Sequence, residues 1–561
     1  MPSISSKIIS EMTKPSRYTK NDIEGFFRSG QWDRLTMSHI WDRNAAQSPH
    51  KEAIADPFKT LTWAEAKKFI DKAAAGLIDL GLDRDQLVVL QLPNSVELHL
   101  LRIACEKAGV ICLPVLSNMR EHEILYILEY TGAAAIVVPA EFRGFDYGSM
   151  MKGIRHQLPK LKHTIVIGKT TDVTMTSFDD MMAKASRKNL PDDYFEKRRY
   201  RAEEVSIVFL TSGSTGMPKF VEYPAVACAK LGEHFTKLMK VNDQDVICAI
   251  APASRGPNLL VYNAAARAGA KIVMYPWSNG QEALDLVERM RVTIGCLVPT
   301  QLAKMLEAND VHRHDLHSVR IWNNAGSVLP PPLVEAVEKR MGGINTNQYG
   351  AVDFGVMTIT VPEDDFDVRL YTIGKPCFDT NVKIVDEVGK EVAKGGVGEI
   401  IGRGPCCSSG YFKDPKATAD AWNDGWYKTG DLGRFDERGN VVIAGRKKDM
   451  IIRGGQNITP SEIEGLLVAH PKIREVAIVA MPDAIMGEKA CAYIVPRNNE
   501  RITLEEVTEF LKQQNVASYK LPERLEFLDK LPTVSEGQKI DKKTLTQDIA
   551  KKTELERGVR G

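Results

Sequence analysis

The amino-acid sequence predicts an α/β fold made of at least two domains. Short apolar runs of strand length alternate with longer segments whose apolar residues recur every three or four positions. Such alternation is typical of a mostly parallel sheet covered by helices. A chain of 561 residues is also too long for one hydrophobic core. We therefore expect a large N-terminal domain with mostly parallel sheets and a small β-rich region, followed by a small C-terminal α/β domain.

The first clear element is a helix that begins after Thr62. Thr62 and Glu65 have the spacing of a capping box, and Gly81 is placed to end the helix. Residues 18–32 have the composition of a short helix lying before it. Further along the chain the alternation continues. The predicted strands are 87–90, 110–114, 134–138, 205–210, 246–250, 271–275, 293–298 and 319–323, and the predicted helices are 96–107 and 121–130.

The middle of the chain breaks this alternation twice. Residues 170–201 are polar and aperiodic, which predicts a loop or helix on the surface. Between residues 395 and 442, glycine clusters and short apolar runs predict the small β-rich region. The charged turn at 445–449 is the expected domain boundary, so that the domains are residues 1–445 and 446–561.

Two further signals lie in the expected C-terminal domain. Thr459 and Glu462 have capping-box spacing around Pro460, which predicts a helix start. The Lys- and Arg-rich tail after Lys542 is predicted to be a solvated helix face rather than a binding patch.

Composition excludes several classes of function. The net charge of +1 offers no field to recruit nucleic acid or an anionic membrane. No apolar run approaches the ~20 residues of a membrane span, and the N-terminus lacks the apolar core of a signal peptide. Nine scattered cysteines without a Cys-x-x-Cys pair suit packed thiols in a reducing compartment. We expect a cytoplasmic protein.

The strongest functional signal is the stretch Thr211–Lys219, which directly follows the apolar strand 205–210. Small residues and hydroxyls let backbone N–H groups close around an anion, and Lys219 adds a positive charge. A Walker loop is excluded, because its lysine directly follows the second of two glycines that are five positions apart. Here Gly213 and Gly216 are three positions apart, and Lys219 follows a proline. The alternative is a plain Gly/Ser loop, but the complete pattern favours phosphate binding.

This stretch resembles the signature loop of the adenylate-forming superfamily, which contains acyl- and aryl-CoA ligases, adenylation domains of peptide synthetases, and luciferases. Four further motifs occur in the family's order, and together they extend the resemblance over roughly residues 30–545. These motifs are Tyr349–Asp353, Tyr427–Gly433, Gly445–Gly455 and Lys539–Lys542.

The resemblance implies a two-step reaction and its cofactors. A carboxylate attacks the α-phosphate of ATP to give acyl-AMP and pyrophosphate, and the thiol of coenzyme A then releases AMP. Such chemistry needs mainly positioning and positive charge, which lysines, Mg²⁺ and backbone amides supply. The expected partners are a small-molecule carboxylic acid and CoA, and the expected state is a monomer or homodimer.

The resemblance also assigns the phosphate-binding residues. The loop residues are Thr211, Ser212, Gly213, Ser214, Thr215, Gly216 and Lys219. Lys219 would meet the departing pyrophosphate, and Lys539 would contact the α-phosphate during adenylation. Asp353 stands where the family has the Mg²⁺-binding glutamate, one methylene shorter. The usual Gly-Lys is one residue longer here, at Gly537-Gln538-Lys539, and a surface lysine is the alternative for Lys539.

For the nucleoside, the resemblance implies that Tyr349 stacks on adenine and that Asp431 accepts hydrogen bonds from both ribose hydroxyls. It implies that Arg446 helps to hold the same sugar or a phosphate. An acidic turn cap is the alternative for Asp431. The remaining nucleotide-binding candidates are Gln348, Gly350, Ala325, Gly326 and Ser327. The stretch from Ala325 departs from the family's usual Gly-Gly-Ala-Pro.

Movement between the two half-reactions is implied as well. Lys448 falls at the family's hinge, which would make the C-terminal domain mobile. After rotation, Arg453, Gly454 and Gly455 would line the tunnel for the pantetheine chain of CoA. An ordinary turn is the alternative for the two glycines.

The acid pocket is expected to involve Arg255, Gly256, Ala325 and Gly350. In relatives that adenylate catechol acids, an asparagine at the position of Gly256 reads an ortho-hydroxyl, which glycine cannot do. A benzoate, or a cyclohexane or cyclohexene carboxylate, is therefore favoured, with a short- or medium-chain fatty acid next. A surface arginine is the alternative for Arg255.

A CoA ligase is the leading interpretation, because no carrier-protein domain follows in the sequence. The alternatives are a stand-alone enzyme that loads a separate carrier, a non-catalytic nucleotide sensor, and a luciferase-type oxygenase. A hydrolase is not supported, because Gly-x-Ser-x-Gly and His-Glu-x-x-His are both missing from the sequence.

Overall fold

The structure is a computed structural model of the chain. It describes residues 17–185, 191, 193–211, 218–252, 254, 259–308, 310–326, 329–453, 456–483, 486–514, 516–534 and 539–558.

Seventeen α-helices lie within these residues, interspersed with strands. They are α1 Lys20–Ser29, α2 Met37–Gln47, α3 Trp63–Asp79, α4 Val96–Ala108, α5 Glu121–Thr131, α6 Tyr147–Ile154, α7 Phe178–Ala185, α8 Ala225–Leu238, α9 Leu259–Ala268, α10 Gly280–Arg289, α11 Pro299–Leu306, α12 Pro331–Met341, α13 Phe366–Tyr371, α14 Pro415–Ala421, α15 Pro460–Leu467, α16 Leu504–Gln513 and α17 Lys542–Gly558.

The first large sheet has nine strands, and its centre is parallel. Its strands are β1 Glu52–Ala55, β2 Thr60–Thr62, β12 Val246–Ala249, β13 Lys271–Met274, β14 Ile294–Leu297, β15 Ile321–Asn324, β16 Ile344–Ala351, β17 Gly355–Ile359 and β18 Lys375–Pro376. The order is β18-β17-β16-β15-β14-β12-β13-β1-β2, with antiparallel pairs only at the two ends. The predicted parallel alternation is confirmed here.

The second large sheet has eight strands and includes the two strands that flank the predicted phosphate-binding stretch. Its strands are β3 Leu87–Gln91, β4 Ile111–Val115, β5 Ala135–Pro139, β8 His163–Ile167, β9 Thr176–Ser177, β10 Val205–Leu210, β11 Phe220–Pro224 and β21 Gly410–Tyr411. The order is β21-β11-β10-β4-β3-β5-β8-β9. Strand β10 is parallel to β4 but antiparallel to β11, so the element that follows Lys219 is a strand and not a helix.

Two five-stranded sheets follow along the chain. One contains β19 Asn381–Val385, β20 Gly398–Arg403, β22 Trp422–Asn423, β23 Trp426–Phe435 and β24 Val441–Arg446. The other contains β25 Ile451–Arg453, β26 Gln456–Ile458, β27 Ile473–Asp483, β28 Gly487–Pro496 and β29 Arg524–Phe527. The short hairpins β6 Glu141–Phe142 with β7 Phe145–Asp146, and β30 Thr533–Val534 with β31 Lys539–Ile540, complete the strands.

Several local predictions can be compared directly with this structure. The capping box at Thr62 is confirmed, because Thr62 and Glu65 exchange side-chain and backbone hydrogen bonds. All nine cysteines are buried free thiols, as predicted. The polar segment 170–201 does contain a helix, α7, although Phe178 and Met181 of that helix are buried.

The predicted capping box at Thr459 is wrong. Helix α15 does begin at Pro460, but the Thr459 side chain accepts no capping hydrogen bond. The Glu462 carboxylate is instead bound by Lys520 Nζ, at 2.7 and 2.8 Å. Thr459 packs against Gly445, where an added Cβ would lie 2.5 Å from the threonine methyl group. Residues distant in sequence therefore contact both Thr459 and Glu462 in place of the predicted capping bonds.

No helix within the described ranges is long and apolar enough to cross a membrane.

Candidate active site

The ends of the predicted phosphate-binding stretch are held together by the β10–β11 hairpin. The Thr211 N–H donates to the Lys219 carbonyl at 2.9 Å, and the Lys219 N–H donates to Thr211 Oγ1 at 3.1 Å. Every residue of β10 is buried, so the hairpin is anchored in the core. Ser212, Gly213, Ser214, Thr215 and Gly216 lie outside the described residues.

Asp353 lies in a buried pocket beside this hairpin. The residue is only 7% exposed, and Tyr427 donates its hydroxyl to Asp353 Oδ2 at 3.1 Å. The other carboxylate oxygen, Oδ1, is buried and receives no hydrogen bond from the described residues. Burial raises the pKa of Asp353, while the Tyr411 and Tyr427 hydroxyls and the Lys219 ammonium group oppose that rise.

Tyr411 links Asp353 to Lys219. Lys219 Nζ lies 4.7 Å from the centre of the Tyr411 ring, a cation–π distance. Strand β21 brings Tyr411 there because it pairs with Val221 of β11, two residues after Lys219. Burial and the nearby Asp353 carboxylate raise the pKa of Tyr411, so its hydroxyl keeps its proton at neutral pH. The sequence analysis missed Tyr411, and its only signal was a Gly-Tyr pair after a Cys-Cys-Ser-Ser run.

The Asp353 carboxylate can serve as one protein ligand for a divalent cation. A buried carboxylate oxygen without a partner is costly, and a hard cation such as Mg²⁺ would relieve that cost. Among the described residues no group of three or more His, Cys, Asp or Glu side chains could hold a metal ion. Phosphate oxygens and water would therefore have to supply the remaining ligands, which is usual for Mg²⁺ in nucleotide sites.

A second carboxylate, Asp431, forms a closed cluster with two of the predicted nucleoside-binding residues. Tyr349 donates its hydroxyl to Asp431 Oδ2 at 2.8 Å, and Arg446 Nε lies 3.0 Å from Asp431 Oδ1. Asp431 and Arg446 face each other on the antiparallel strands β23 and β24. Burial and the Asp431 carboxylate raise the pKa of Tyr349. The structure thus brings together the three residues that the motifs assigned separately to adenine and ribose.

The other described nucleotide candidates lie at the carboxyl ends of neighbouring strands. Ala325 and Gly326 follow β15, and Gln348 and Gly350 lie on β16, which is parallel to β15. An added Cβ at Gly350 would lie 1.9 Å from the Gly355 carbonyl oxygen, so the β16–β17 pair itself requires glycine there. Ser327 lies outside the described residues.

Lys448 lies in a single 3₁₀ turn, Lys447–Asp449, that separates β24 from β25 and therefore two different sheets. Partial burial lowers the pKa of Lys448, and the cations Arg446 and Lys543 act in the same direction. Across this turn, Ser461 Oγ donates to the Ala444 carbonyl at 3.1 Å.

Of the other candidates, only Arg453 has a described side chain. Its Nε and Nη2 bind the Glu523 carboxylate at 3.1 and 2.9 Å. Lys539 pairs with Val534 in the β30–β31 hairpin, but its side chain lies outside the described part of the structure. Gly454, Gly455, Arg255 and Gly256 also lie outside it.

A cationic cavity of about 240 Å³ opens between the two large sheets. Its cations are Arg120, Arg143 and Lys304, and no aspartate or glutamate is among the described residues that line it. Arg120 donates to the Ser117 and Met119 carbonyls, and Arg143 donates to those of Pro276 and Trp277. The sequence analysis missed this cavity, because its residues come from loops, a short strand and two helices that are far apart in the chain.

Comparison with known proteins agrees with this geometry. The family model described as "AMP-binding enzyme" matches residues 41–412, and its C-terminal domain model matches residues 462–538. The chain is 29% identical to the 2,3-dihydroxybenzoate-AMP ligase of Bacillus subtilis, with 94% of this chain and 96% of that protein covered. It is 30% identical to the 2-hydroxy-7-methoxy-5-methyl-1-naphthoate–CoA ligase of Streptomyces carzinostaticus, with 92% and 94% covered.

The fold is similar to that of a solved relative with nucleotide bound. The ATP-bound structure of MatB from Rhodopseudomonas palustris matches with a TM-score of 0.82 and 25% identity, covering 92% of this chain and 99% of that chain. One family model covers well over half of the chain, and the Thr211–Lys219 hydrogen bonds, a buried Asp353 and the Tyr349–Asp431–Arg446 cluster accompany it. The chain therefore belongs to the AMP-binding enzyme family, the adenylate-forming enzymes that use ATP to activate carboxylic acids.

Proposed function

We propose that this protein is an AMP-forming acid–CoA ligase for an aromatic or alicyclic carboxylate. In the first half-reaction a carboxylate oxygen attacks the α-phosphorus of ATP and pyrophosphate leaves. In the second, the CoA sulfur attacks the acyl carbon, AMP leaves, and the thiol proton passes to solvent. The observation that favours CoA as the acceptor is the cavity lined by Arg120, Arg143 and Lys304. Three cations without a carboxylate among them suit the phosphate groups of CoA.

The residues of the first half-reaction have distinct proposed roles. Lys219 neutralises the departing pyrophosphate, and Lys539 contacts the α-phosphate. Asp353 holds Mg²⁺, which when bound neutralises phosphate charge in the transition state. Tyr349 binds adenine, and the Asp431–Arg446 pair orients the ribose. The loop Ser212–Gly216 surrounds the phosphates with backbone N–H groups.

The second half-reaction is proposed to use a rearranged chain. Residues 1–445 act as the ATP- and acid-binding domain, and residues 446–561 rotate about Lys448. The turn at Lys448 is a single 3₁₀ turn that joins two separate sheets, which suits a hinge. After rotation, Arg453, Gly454 and Gly455 line the pantetheine tunnel. The Arg453–Glu523 ion pair travels with the rotating part, since both residues belong to it.

The acid class is argued from similarity and from the pocket candidates. Both curated relatives described above are named for aromatic acids, and the chain is about equally identical to each. Gly256 offers no side chain for an ortho-hydroxyl, and Ala325 narrows the pocket where relatives have glycine. The acids in both relatives' names carry a hydroxyl ortho to the carboxylate, so similarity supports an aromatic acid in general. The pocket candidates favour a benzoate, or a cyclohexane or cyclohexene carboxylate, without that hydroxyl. The alternatives are a short- or medium-chain fatty acid, or transfer to a carrier protein instead of CoA.

The test is acid-dependent release of AMP from ATP and Mg²⁺, with and without CoA. The acid panel contains benzoate, cyclohexane and cyclohexene carboxylates, hydroxybenzoates, and short- and medium-chain fatty acids. AMP release that needs both an acid and CoA supports the ligase and identifies the acid class. Acid-dependent pyrophosphate exchange without thioester formation would contradict CoA as the acceptor and point to a carrier protein.

Two sets of variants test the proposed division of labour. Lys539→Ala should abolish adenylate formation but spare thioester formation from added acyl-AMP, and an equal loss of both would contradict its role. Arg120→Gln combined with Lys304→Gln should raise KM for CoA about tenfold through lost charge-assisted bonds, with KM for ATP unchanged. Lys152→Gln is the matched control, because Lys152 is an exposed lysine outside the cavity.

A further inference from the structure

The first residues that the structure describes form a strap against a distant segment of the chain. The strap comprises residues 17–32 and includes helix α1. Its anchors are side chains with polar ends, Arg17, Tyr18 and Trp32, which pack against one another through ring and cation–π contacts. Tyr18 and Trp32 are buried.

All three anchors bind backbone carbonyls of the segment 405–409. Arg17 Nε donates to the Ser408 carbonyl at 2.7 Å, and its N–H donates to the Ser409 carbonyl at 2.9 Å. The Tyr18 hydroxyl donates to the Cys407 carbonyl at 3.0 Å, and Trp32 Nε1 donates to the Pro405 carbonyl at 2.8 Å. These bonds determine the path of the backbone rather than merely covering apolar side chains.

The segment 405–409 leads directly to the Asp353 pocket. The Ser408 N–H donates to the Asp353 carbonyl at 3.1 Å, and the Ser409 N–H donates to the Glu222 carbonyl at 2.7 Å. Strand β21 follows at once and carries Tyr411, whose ring faces Lys219. One route therefore runs from the strap to Tyr411.

A second route runs from the strap to Tyr427. The Arg17 guanidinium lies 3.6 Å from the centre of the Trp422 ring. The Trp422 and Tyr427 rings pack at a centroid distance of 5.1 Å, and Tyr427 donates its hydroxyl to Asp353 Oδ2. Arg17 thus supports, from one position, the two tyrosines whose hydroxyls face the Asp353 carboxylate.

We propose that residues 17–32 are a positioning element of the active site, which acts through segment 405–409 and Trp422 to align Tyr411 and Tyr427 on Asp353. The proposal rests on the proposed role of Asp353 in holding the metal–nucleotide complex. Loss of the strap contacts lets the two hydroxyls drift, so that Asp353 holds the cation less well. Residues that orient a metal ligand commonly change metal affinity without touching the metal.

The test compares Arg17→Met, Tyr18→Phe and Arg17→Lys in the full-length protein, with Glu24→Gln as control. Glu24 lies on helix α1 of the strap, and its ion-pair partner is Lys20, four residues earlier in the chain. The measurements are the Mg²⁺ concentration for half-maximal AMP release, KM for the acid, and the midpoint of thermal unfolding. Binding of Mg²⁺–ATP is also measured by calorimetry without acid or CoA.

We expect Arg17→Met to raise the Mg²⁺ requirement about 3- to 10-fold, less than the loss of a direct partner of a metal ligand. Tyr18→Phe should do so more weakly, Arg17→Lys should recover part of the effect, and KM for the acid should stay unchanged. An unchanged Mg²⁺ requirement with a lower unfolding midpoint would show that the strap only stabilises the fold and would overturn the proposal. If the wild-type protein activates no acid in the panel, the proposed function fails, whereas the calorimetric comparison still decides the role of the strap.

Discussion

Two carboxylates of the candidate nucleotide site are held in opposite ways. Asp353 is 7% exposed and has one buried oxygen that receives no hydrogen bond from the described residues. The Asp431 side chain is 16% exposed, and its two oxygens are bound by the Tyr349 hydroxyl and by Arg446 Nε. The first carboxylate keeps one oxygen without a hydrogen-bond partner among the described residues, whereas both oxygens of the second are bound by protein groups.

This difference indicates different tasks. A buried, partly unsatisfied carboxylate costs folding free energy and gains most from a cation, so Asp353 is suited to a ligand with charge. A carboxylate held by an arginine and a tyrosine is oriented but not strained, so Asp431 is suited to hydrogen bonding with neutral hydroxyl groups. The following changes test that contrast.

Asp353→Asn should have the largest effect on activity. Without the carboxylate the cation loses its protein ligand, and we expect adenylation to fall about 100-fold or more. Removing a buried charge should also leave the thermal unfolding midpoint, measured without Mg²⁺, equal to or above that of the wild type. A clear loss of stability in the metal-free protein would contradict the view that Asp353 is unsatisfied.

Asp431→Asn should weaken ATP binding and also lower the stability of the protein. Asp353→Asn, by contrast, should leave stability equal to or above that of the wild type. Loss of a charged acceptor should raise KM for ATP about 10-fold or more. The ion pair with Arg446 is partly exposed, so the free energy of unfolding should fall by only about 0.2–1 kcal/mol. Steady-state kinetics and chemical denaturation measure the two effects, and equal stability of both variants would remove the contrast.

Tyr411→Phe should have an intermediate effect, confined to the Asp353 pocket. The ring remains over Lys219 while the hydroxyl facing Asp353 is lost, so we expect the Mg²⁺ requirement to rise about 5-fold. KM for the acid should not change. Tyr427→Phe is the matched variant, because it removes the other hydroxyl from the same carboxylate. If neither variant alters the Mg²⁺ requirement, the tyrosines do not position Asp353.

Tyr349→Phe should have the smallest effect. The aromatic face remains for adenine, and only the hydrogen bond to Asp431 is lost, so KM for ATP should rise about 3-fold. Tyr349→Ala, which also removes the ring, should raise KM much further. Equal effects of the two substitutions would mean that the hydroxyl, not the ring, is what the site uses.

The sequence by itself determined the local elements and the type of site. Periodicity predicted eight strands of the two large sheets to within about two residues, because each of them carries its own apolar run. It missed the parallel strands β1, β8 and β16, and β16 is rich in buried asparagine and threonine rather than apolar residues. The capping box at Thr62 was predictable because both partners lie within four residues. Motif spacing indicated that Tyr349, Asp431 and Arg446 share a ligand, although not that they bind one another, since the β23–β24 register makes that pairing.

Only the tertiary structure decided which polar groups are satisfied. Thr459 and Glu462 have the same local pattern as Thr62 and Glu65. In the folded chain, however, the Glu462 carboxylate binds Lys520 and the Thr459 methyl group packs against Gly445. Arg17 and Ser408 are 391 positions apart, and nothing local marks them as partners. The burial of the Asp353 oxygen that is unpaired among the described residues likewise depends on three parts of the chain, which are the β16–β17 turn, β21 and β23. Local sequence patterns determine the conformation of each segment. Which polar groups are buried, and which distant groups pair with them, is decided only when the strands assemble into sheets.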